Sequence, residues 1–209
     1  MKTIEYAAIG DSLTAGYGVP AEKSFVSQYA KLLQKRMSCT VNTHNFGVSG
    51  ATTKEIFEHV QGDSNIQGVL KQAHVISITA GGNDLIQGAK RFLSSESYWP
   101  LNRALASVRK HLKKLLRLIE DLKQGKPDHY VILLLELYNP VPEMDDARFF
   151  IQKFNSIIHS FQSESVQVVP AQQAFEARSA SLLGPDYVHP NEDGYLLMAH
   201  AAASIRLSI

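Results

Sequence analysis

The sequence predicts an α/β protein in which a five-stranded parallel sheet is covered by helices on both faces. Two observations lead to this prediction. Short apolar segments alternate with longer segments of helical period along the chain. The strongest apolar segments also lack the polar alternation of a strand with one solvated face. Strands buried on both faces and separated by helices form parallel sheets with crossover connections.

Five segments are predicted to form the strands. Three are short, apolar on both faces and bounded by turn residues, at residues 4–9, 74–80 and 130–135. Two further segments, at residues 41–46 and 166–169, are expected nearer the edges of the sheet. Each strand is followed by enough residues for the crossover that a parallel neighbour requires.

Five helices are predicted between and after these strands. Four segments of helical period run over residues 25–37, 101–122, 148–161 and 195–207. A fifth helix starts at a capping box formed by Thr52 and Glu55. No repeat, low-complexity tract or linker interrupts this series, so residues 1–209 are expected to form a single domain.

Composition and charge argue against several classes of protein. The chain has 21 basic and 20 acidic residues and a formal charge of +1, so nucleic acid is not expected as a partner. Cys39 is the only cysteine and is expected to be a small buried hydrophobe. The sequence shows neither a secretory signal nor the ~20 apolar residues of a membrane span, so a cytoplasmic location is expected. No feature indicates an oligomeric state.

The first candidate site residue is Ser12, which follows the first predicted strand in the segment Gly10-Asp11-Ser12-Leu13. A serine at the start of a helix has the positive end of that helix near its oxygen, which favours an oxyanion formed beside it. The same pattern is typical of a plain helix N-terminus, where Asp11 or Ser12 caps free backbone N–H groups. The segment alone leaves both interpretations open.

Two further candidates follow the second and third predicted strands, whose C-terminal ends lie on the same rim of a parallel sheet. Gly50 lies in a glycine-rich turn that can present its backbone N–H to a developing negative charge. Asn83 lies in Gly81-Gly82-Asn83-Asp84, and its side-chain amide is an uncharged donor suited to an oxyanion hole. Each segment also fits an ordinary turn.

The most diagnostic segment is Asp186-Tyr187-Val188-His189, before the last predicted helix. Residues three apart in a tight turn can place a carboxylate against imidazole Nδ1 and leave Nε2 to face a serine. Serine becomes a good nucleophile when a neutral imidazole takes its proton, so activity is expected to fall when His189 is protonated at acidic pH. The alternative is a solvated loop, since the chain has seven other histidines.

The joint occurrence of these segments, in this order, resembles the SGNH hydrolases, also called the GDSL lipase/esterase family. The four letters of the name correspond to Ser12, Gly50, Asn83 and His189. The resemblance implies a flavodoxin-like three-layer α/β/α sandwich and a Ser12–His189–Asp186 triad. It also implies an oxyanion hole made by the backbone amides of Ser12 and Gly50 and the side chain of Asn83. The chain looks closest to the small bacterial lipase/acylhydrolases, including lysophospholipase-like and thioesterase-like members.

The resemblance implies a serine ester hydrolase that acts on a small-molecule ester without a cofactor or metal. Lipid-type or short acyl esters are the expected substrates, with carbohydrate O-acetyl esters as the alternative. Residues 85–101 and 137–150 contain several aromatic side chains and are expected to flank the site and shape its pocket. An alternative from another class is a non-catalytic module that binds a glycan or nucleotide on the same fold.

Three other patterns favour different functions less strongly. Residues 47–51 approximate the nucleophile elbow of α/β-hydrolases, but Ala51 replaces its last glycine. Residues 16–21 match a loose dinucleotide-binding fingerprint but contain Pro20 and do not directly open a helix. Residues 103–123 carry a basic face that could contact a membrane, although a crossover helix with a solvated basic face is the stronger interpretation.

Overall fold

The five predicted strands form one parallel sheet in the order β2–β1–β3–β4–β5. The computed structural model describes residues 3–124, 129–176 and 179–207. The strands are β1 (Thr3–Gly10), β2 (Thr40–Gly47), β3 (Val75–Thr79), β4 (Val131–Leu135) and β5 (Val166–Val169). The segments predicted at residues 41–46 and 166–169 are β2 and β5, which lie at the edges as expected.

Helices cover both faces of the sheet. They are α1 (Ser12–Ala15), α2 (Phe25–Met37), α3 (Thr53–Gly62), α4 (Ser64–Gln72), α5 (Gly82–Ser95), α6 (Trp99–Lys123), α7 (Asp145–His159), α8 (Ala171–Glu176) and α9 (Glu192–Ser204). Two short 3-10 helices lie at Ala21–Lys23 and Ser179–Leu182. The Thr52 and Glu55 capping box begins α3, as predicted.

The sheet separates two hydrophobic cores because successive strand residues point to opposite faces. Along β1, Ala7 and Ile9 join the core formed with α3 to α7, whereas Tyr6 and Ala8 join the core formed with α2, α8 and α9. Cys39 is buried in the second core, as expected. The three layers are the α/β/α sandwich that the sequence predicts.

Helix α6 crosses one face of the sheet with its apolar side against it. The apolar residues of this helix that are fully or almost fully buried include Leu105, Val108, Leu112, Leu115 and Ile119. This packing is what the crossover interpretation of residues 103–123 requires. Within the described ranges, no helix has both the length and the apolar character needed to cross a membrane.

Residues 85–101, for which the sequence analysis predicts only a place beside the site, are almost entirely helical. Most of this segment belongs to α5, which begins after Gly81, and its end forms the first turn of α6. Gly81 has a φ of 98°, a conformation that favours glycine, and so ends the extended backbone after β3. Helix α5 therefore starts directly at the rim of the sheet.

Candidate active site

Ser12 lies at the start of α1, immediately beyond the C-terminal end of β1. Asp11 is the N-cap of this helix, and its Oδ1 accepts hydrogen bonds from Leu13 N at 3.0 Å and Thr79 Oγ1 at 2.8 Å. Asp11 is buried, and this burial raises the pKa of its carboxyl group. Because Asp11 supplies the cap, the Ser12 hydroxyl is not used for capping. Helix α1 has only four residues, so the positive charge expected at its N-terminus beside Ser12 comes from a single helical turn.

Asp186, His189 and Ser12 form a continuous chain of contacts. His189 Nδ1 lies 2.6 Å from Asp186 Oδ2, and His189 Nε2 lies 2.9 Å from Ser12 Oγ. Partial burial raises the pKa of Asp186. Hydrogen bonds from the His189 side chain and from the backbone N–H groups of His189 and Val188 outweigh this effect and lower the pKa of Asp186 to about 2. The ionised carboxylate favours the tautomer with a proton on Nδ1, which leaves Nε2 to accept from the Ser12 hydroxyl.

Two tyrosines hold the loop that carries His189, and the sequence interpretation did not identify this role. The Tyr17 ring packs against the His189 ring with 4.5 Å between centroids. The Tyr138 hydroxyl donates to Val188 O at 2.6 Å, so the segment that follows β4 is bonded to the residue before His189. Tyr138 had been expected only to shape the pocket, since a contact across 50 residues leaves no local pattern in the sequence.

Gly50 lies in the loop after β2, and Asn83 lies in the first turn of α5 next to that loop. Ala51 N donates to Val48 O at 3.1 Å, and Gly50 has a φ of 83°, which together describe a type II turn with glycine at its third position. Asn83 Nδ2 donates one hydrogen bond to Ala51 O at 3.0 Å, and its second N–H remains available. No described residue accepts a hydrogen bond from the backbone N–H of Ser12 or Gly50.

Further hydrogen bonds fix these loops relative to each other and to β1. Asp84 Oδ2 accepts from Thr53 N at 2.7 Å and from Thr53 Oγ1 at 2.9 Å, which joins the start of α5 to the start of α3. Burial raises the pKa of the Asp84 carboxyl group, whereas these hydrogen bonds oppose that shift. Val48 N donates to Gly10 O at 2.9 Å. The loops after β1, β2 and β3 are therefore bonded into one unit.

A groove of about 330 Å³ opens beside Ser12, Asn83 and His189. Of the residues expected to shape the pocket, those that line it include Phe92, Tyr138, Pro140 and Met144. Its walls are almost entirely apolar and come from α5 on one side and the segment from β4 into α7 on the other. The groove thus places an apolar environment next to the polar site.

The sequence profile of the GDSL-like lipase/acylhydrolase family matches residues 8–197 of this chain. The spore germination lipase LipC of Bacillus licheniformis is 32% identical over 199 residues, which cover 94% of this chain and 93% of that protein. The region that the profile matches includes Ser12, Gly50, Asn83, Asp186 and His189.

Solved structures show the same architecture. The lipase Lip_vut3 from a goat rumen metagenome is 30% identical and superimposes with a TM-score of 0.90 over 95% of both chains. The acetylxylan esterase Axe2 of Geobacillus stearothermophilus has a TM-score of 0.69 at 20% identity, covering 98% of this chain and 95% of that one. The second similarity shows the common fold alone.

Proposed function

Since the chain belongs to the GDSL-like lipase/acylhydrolase family and is a carboxylic ester hydrolase, we propose that Ser12, His189 and Asp186 carry out its reaction. The observation that supports this most directly is the position of the His189 ring, which lies within hydrogen-bonding distance of both Ser12 Oγ and Asp186 Oδ2. A serine with this partner can form a covalent acyl-enzyme from an ester.

In the first half of the reaction, Ser12 Oγ attacks the carbonyl carbon of the ester as His189 Nε2 takes the hydroxyl proton. The imidazolium that results is stabilised by the Asp186 carboxylate. When the tetrahedral intermediate collapses, His189 gives this proton to the leaving alcohol and the acyl group stays on Ser12. A water molecule then repeats the sequence, releases the carboxylic acid and restores the Ser12 hydroxyl.

The negative oxygen of the tetrahedral intermediate needs donors that are in place before the reaction. We assign this role to the backbone N–H groups of Ser12 and Gly50 and the free N–H of the Asn83 side chain. The first two have no protein acceptor among the described residues, and the bond from Asn83 to Ala51 O holds its amide at the rim. Donors that are already oriented stabilise charge without reorganisation during the reaction.

The substrate is a small-molecule ester, and the groove favours an ester with an aliphatic acyl group. A carbohydrate O-acetyl ester would present several hydroxyl groups that need hydrogen-bonding partners. Along the groove beyond the catalytic residues, the walls supply mainly hydrocarbon side chains. The lipase/acylhydrolase interpretation is therefore preferred to the carbohydrate esterase one.

The test compares the two serines that the sequence motifs offer as nucleophile. Wild-type protein and the Ser12→Ala and Ser49→Ala variants are treated with a fluorophosphonate and assayed with p-nitrophenyl butyrate. We expect Ser12→Ala to lose covalent labelling and nearly all turnover, and Ser49→Ala to retain both. Ser49 is an exposed residue of the elbow-like segment at 47–51, so it is a matched control. Labelling of Ser12→Ala at the wild-type rate would contradict the proposal.

A further inference from the structure

The apolar groove follows one face of α5 away from the catalytic residues. The α5 residues that line it are Gly82, Asn83, Leu85, Ile86, Ala89, Phe92 and Leu93. Their spacing of three and four residues is that of one helix face. Since Asn83 lies beside Ser12 and Phe92 lies near the other end of α5, the groove has a defined direction.

Aromatic rings stand at the end of the groove farther from Ser12. Phe92 and Phe150 both line it, and the ring of Tyr98, which is outside the lining, contacts both of them. The Tyr98 ring stacks on Phe92 with 4.9 Å between centroids and lies 5.7 Å from Phe150. The Tyr98 hydroxyl donates to Asp146 Oδ1 at 2.8 Å, which holds the ring in place. These three rings are called the end wall below.

The length of α5 along the groove gives an estimate of its capacity. From Asn83 to Phe92 the helix rises by about 14 Å, at ~1.5 Å per residue. An extended alkyl chain advances by about 1.25 Å per carbon, from bonds of ~1.5 Å at angles of ~111°, so it would reach the end wall after about 11 carbons.

We propose that this groove holds the acyl chain of the ester in an extended form, that its capacity is about 10 carbons, and that Ala89 and the end wall set this length. The inference rests on the function proposed above, because it takes Ser12 as the point where the acyl carbonyl is held. Ala89 lies six residues beyond Asn83, or about 9 Å along the helix, where the chain would place its seventh carbon. Its small side chain leaves the middle of the groove open.

The first test is a series of p-nitrophenyl esters from acetate to tetradecanoate, assayed below the concentrations at which they aggregate. The groove is open to water along Ile86 and Leu93, which are 40% and 75% exposed. About half of each methylene is then removed from water, so kcat/KM is expected to rise about twofold per methylene. We expect this rise to continue to about the decanoate and to stop there.

Two variants should move this limit in opposite directions. Ala89→Phe fills the middle of the groove, so the ratio of kcat/KM for decanoate to that for acetate should fall at least tenfold, with the maximum near hexanoate. Phe92→Ala opens the end wall, so the maximum should move to longer chains. Gln87→Phe is the matched control, because Gln87 is an exposed residue of α5 outside the groove lining. It should leave the profile unchanged.

The outcomes separate this inference from the proposed function. If Ser12 is labelled by the fluorophosphonate but kcat/KM is highest for acetate or independent of chain length, the acyl-groove assignment is wrong and the proposed function stands. An unchanged profile in Phe92→Ala would also contradict the assignment, and this variant remains informative if Ala89→Phe does not fold. Failure to label Ser12 at all would instead contradict the proposed function.

Discussion

Replacement of Asp186 by asparagine tests the charge relationship in the proposed triad. Asp186 Oδ1 accepts from the backbone N–H groups of Val188 and His189 at 3.0 and 2.9 Å, while Oδ2 faces His189 Nδ1. The asparagine oxygen can keep the backbone bonds only if its NH₂ group faces Nδ1. That arrangement favours the tautomer with the proton on Nε2, which cannot accept the proton of Ser12.

The expected loss has two parts. An imidazolium and a carboxylate with charge centres about 4 Å apart attract each other by ~4 kcal/mol at an effective dielectric constant of ~20. Since the Asp186 side chain is 41% exposed, we take about half of this, ~2 kcal/mol, as the lost stabilisation. In Asp186→Asn, His189 must return to the tautomer with its proton on Nδ1 before it can react. The Nδ1–H group then faces the asparagine NH₂ group and has no acceptor, which costs a further ~2 kcal/mol. Together these terms predict a decrease in kcat/KM of about 10³-fold.

The assay is the hydrolysis of p-nitrophenyl butyrate at neutral to mildly alkaline pH by wild type, Asp186→Asn and Asp193→Asn. The control makes the same change of charge at an exposed residue in the first turn of α9 and should keep wild-type activity. Circular dichroism checks that the variants fold. A folded Asp186→Asn variant with activity within tenfold of wild type would refute the argument.

Three further predictions follow from the same structure. Asn83→Ala should lower kcat by ~10²–10³ with little change in KM, measured with the butyrate ester, because it removes one oxyanion donor. Gly81→Ala should lower the free energy of unfolding in urea by more than Gly50→Ala does. Both glycines have positive φ, but a Cβ at Gly81 would lie 2.2 Å from the Phe154 ring, whereas one at Gly50 would meet nothing within 4 Å. Finally, because the folded pKa of Asp186 is about 2, its contribution to stability is fully present above about pH 4 and is lost only as pH falls towards 2. Any activity lost between pH 7 and 5 should therefore be lost without unfolding, as measured by circular dichroism.

The strands could be predicted because burial on both faces leaves continuous apolar segments, as in β3 and β4. Helices α4, α5 and α8 were not predicted. In α5 the apolar residues from Leu85 to Leu93 face a groove rather than the sheet, and the helix begins directly after Gly81. The combination of glycines and aromatic residues there is equally typical of a loop. Periodicity alone does not tell which surface a helix face contacts.

The candidate site residues could be predicted because the nucleophile, acid and base belong to short motifs at strand ends. Their supporting contacts could not be predicted. The Tyr17 ring contacts His189, at the opposite end of the chain. The Tyr138 hydroxyl binds Val188 O, 50 residues further along the chain. The bond between Thr53 and Asp84 likewise joins two helices. Such contacts depend on how the strands are ordered in the sheet, which the sequence pattern leaves open.

Strand order explains why the two halves of the proposed site are supported differently. Ser12, Gly50 and Asn83 follow β1, β2 and β3, which are neighbours in the sheet, so their loops start ~4.8 Å apart and are bonded to one another. His189 instead comes from a loop beyond β5, at the far edge, where the Tyr17 ring packs against the His189 ring and the Tyr138 hydroxyl binds the preceding residue. The oxyanion donors are therefore part of the framework of the sheet, whereas the base lies on a separate loop that long-range side-chain contacts help to position. Changes to these contacts should affect the proton-transfer step before they affect the stability of the fold.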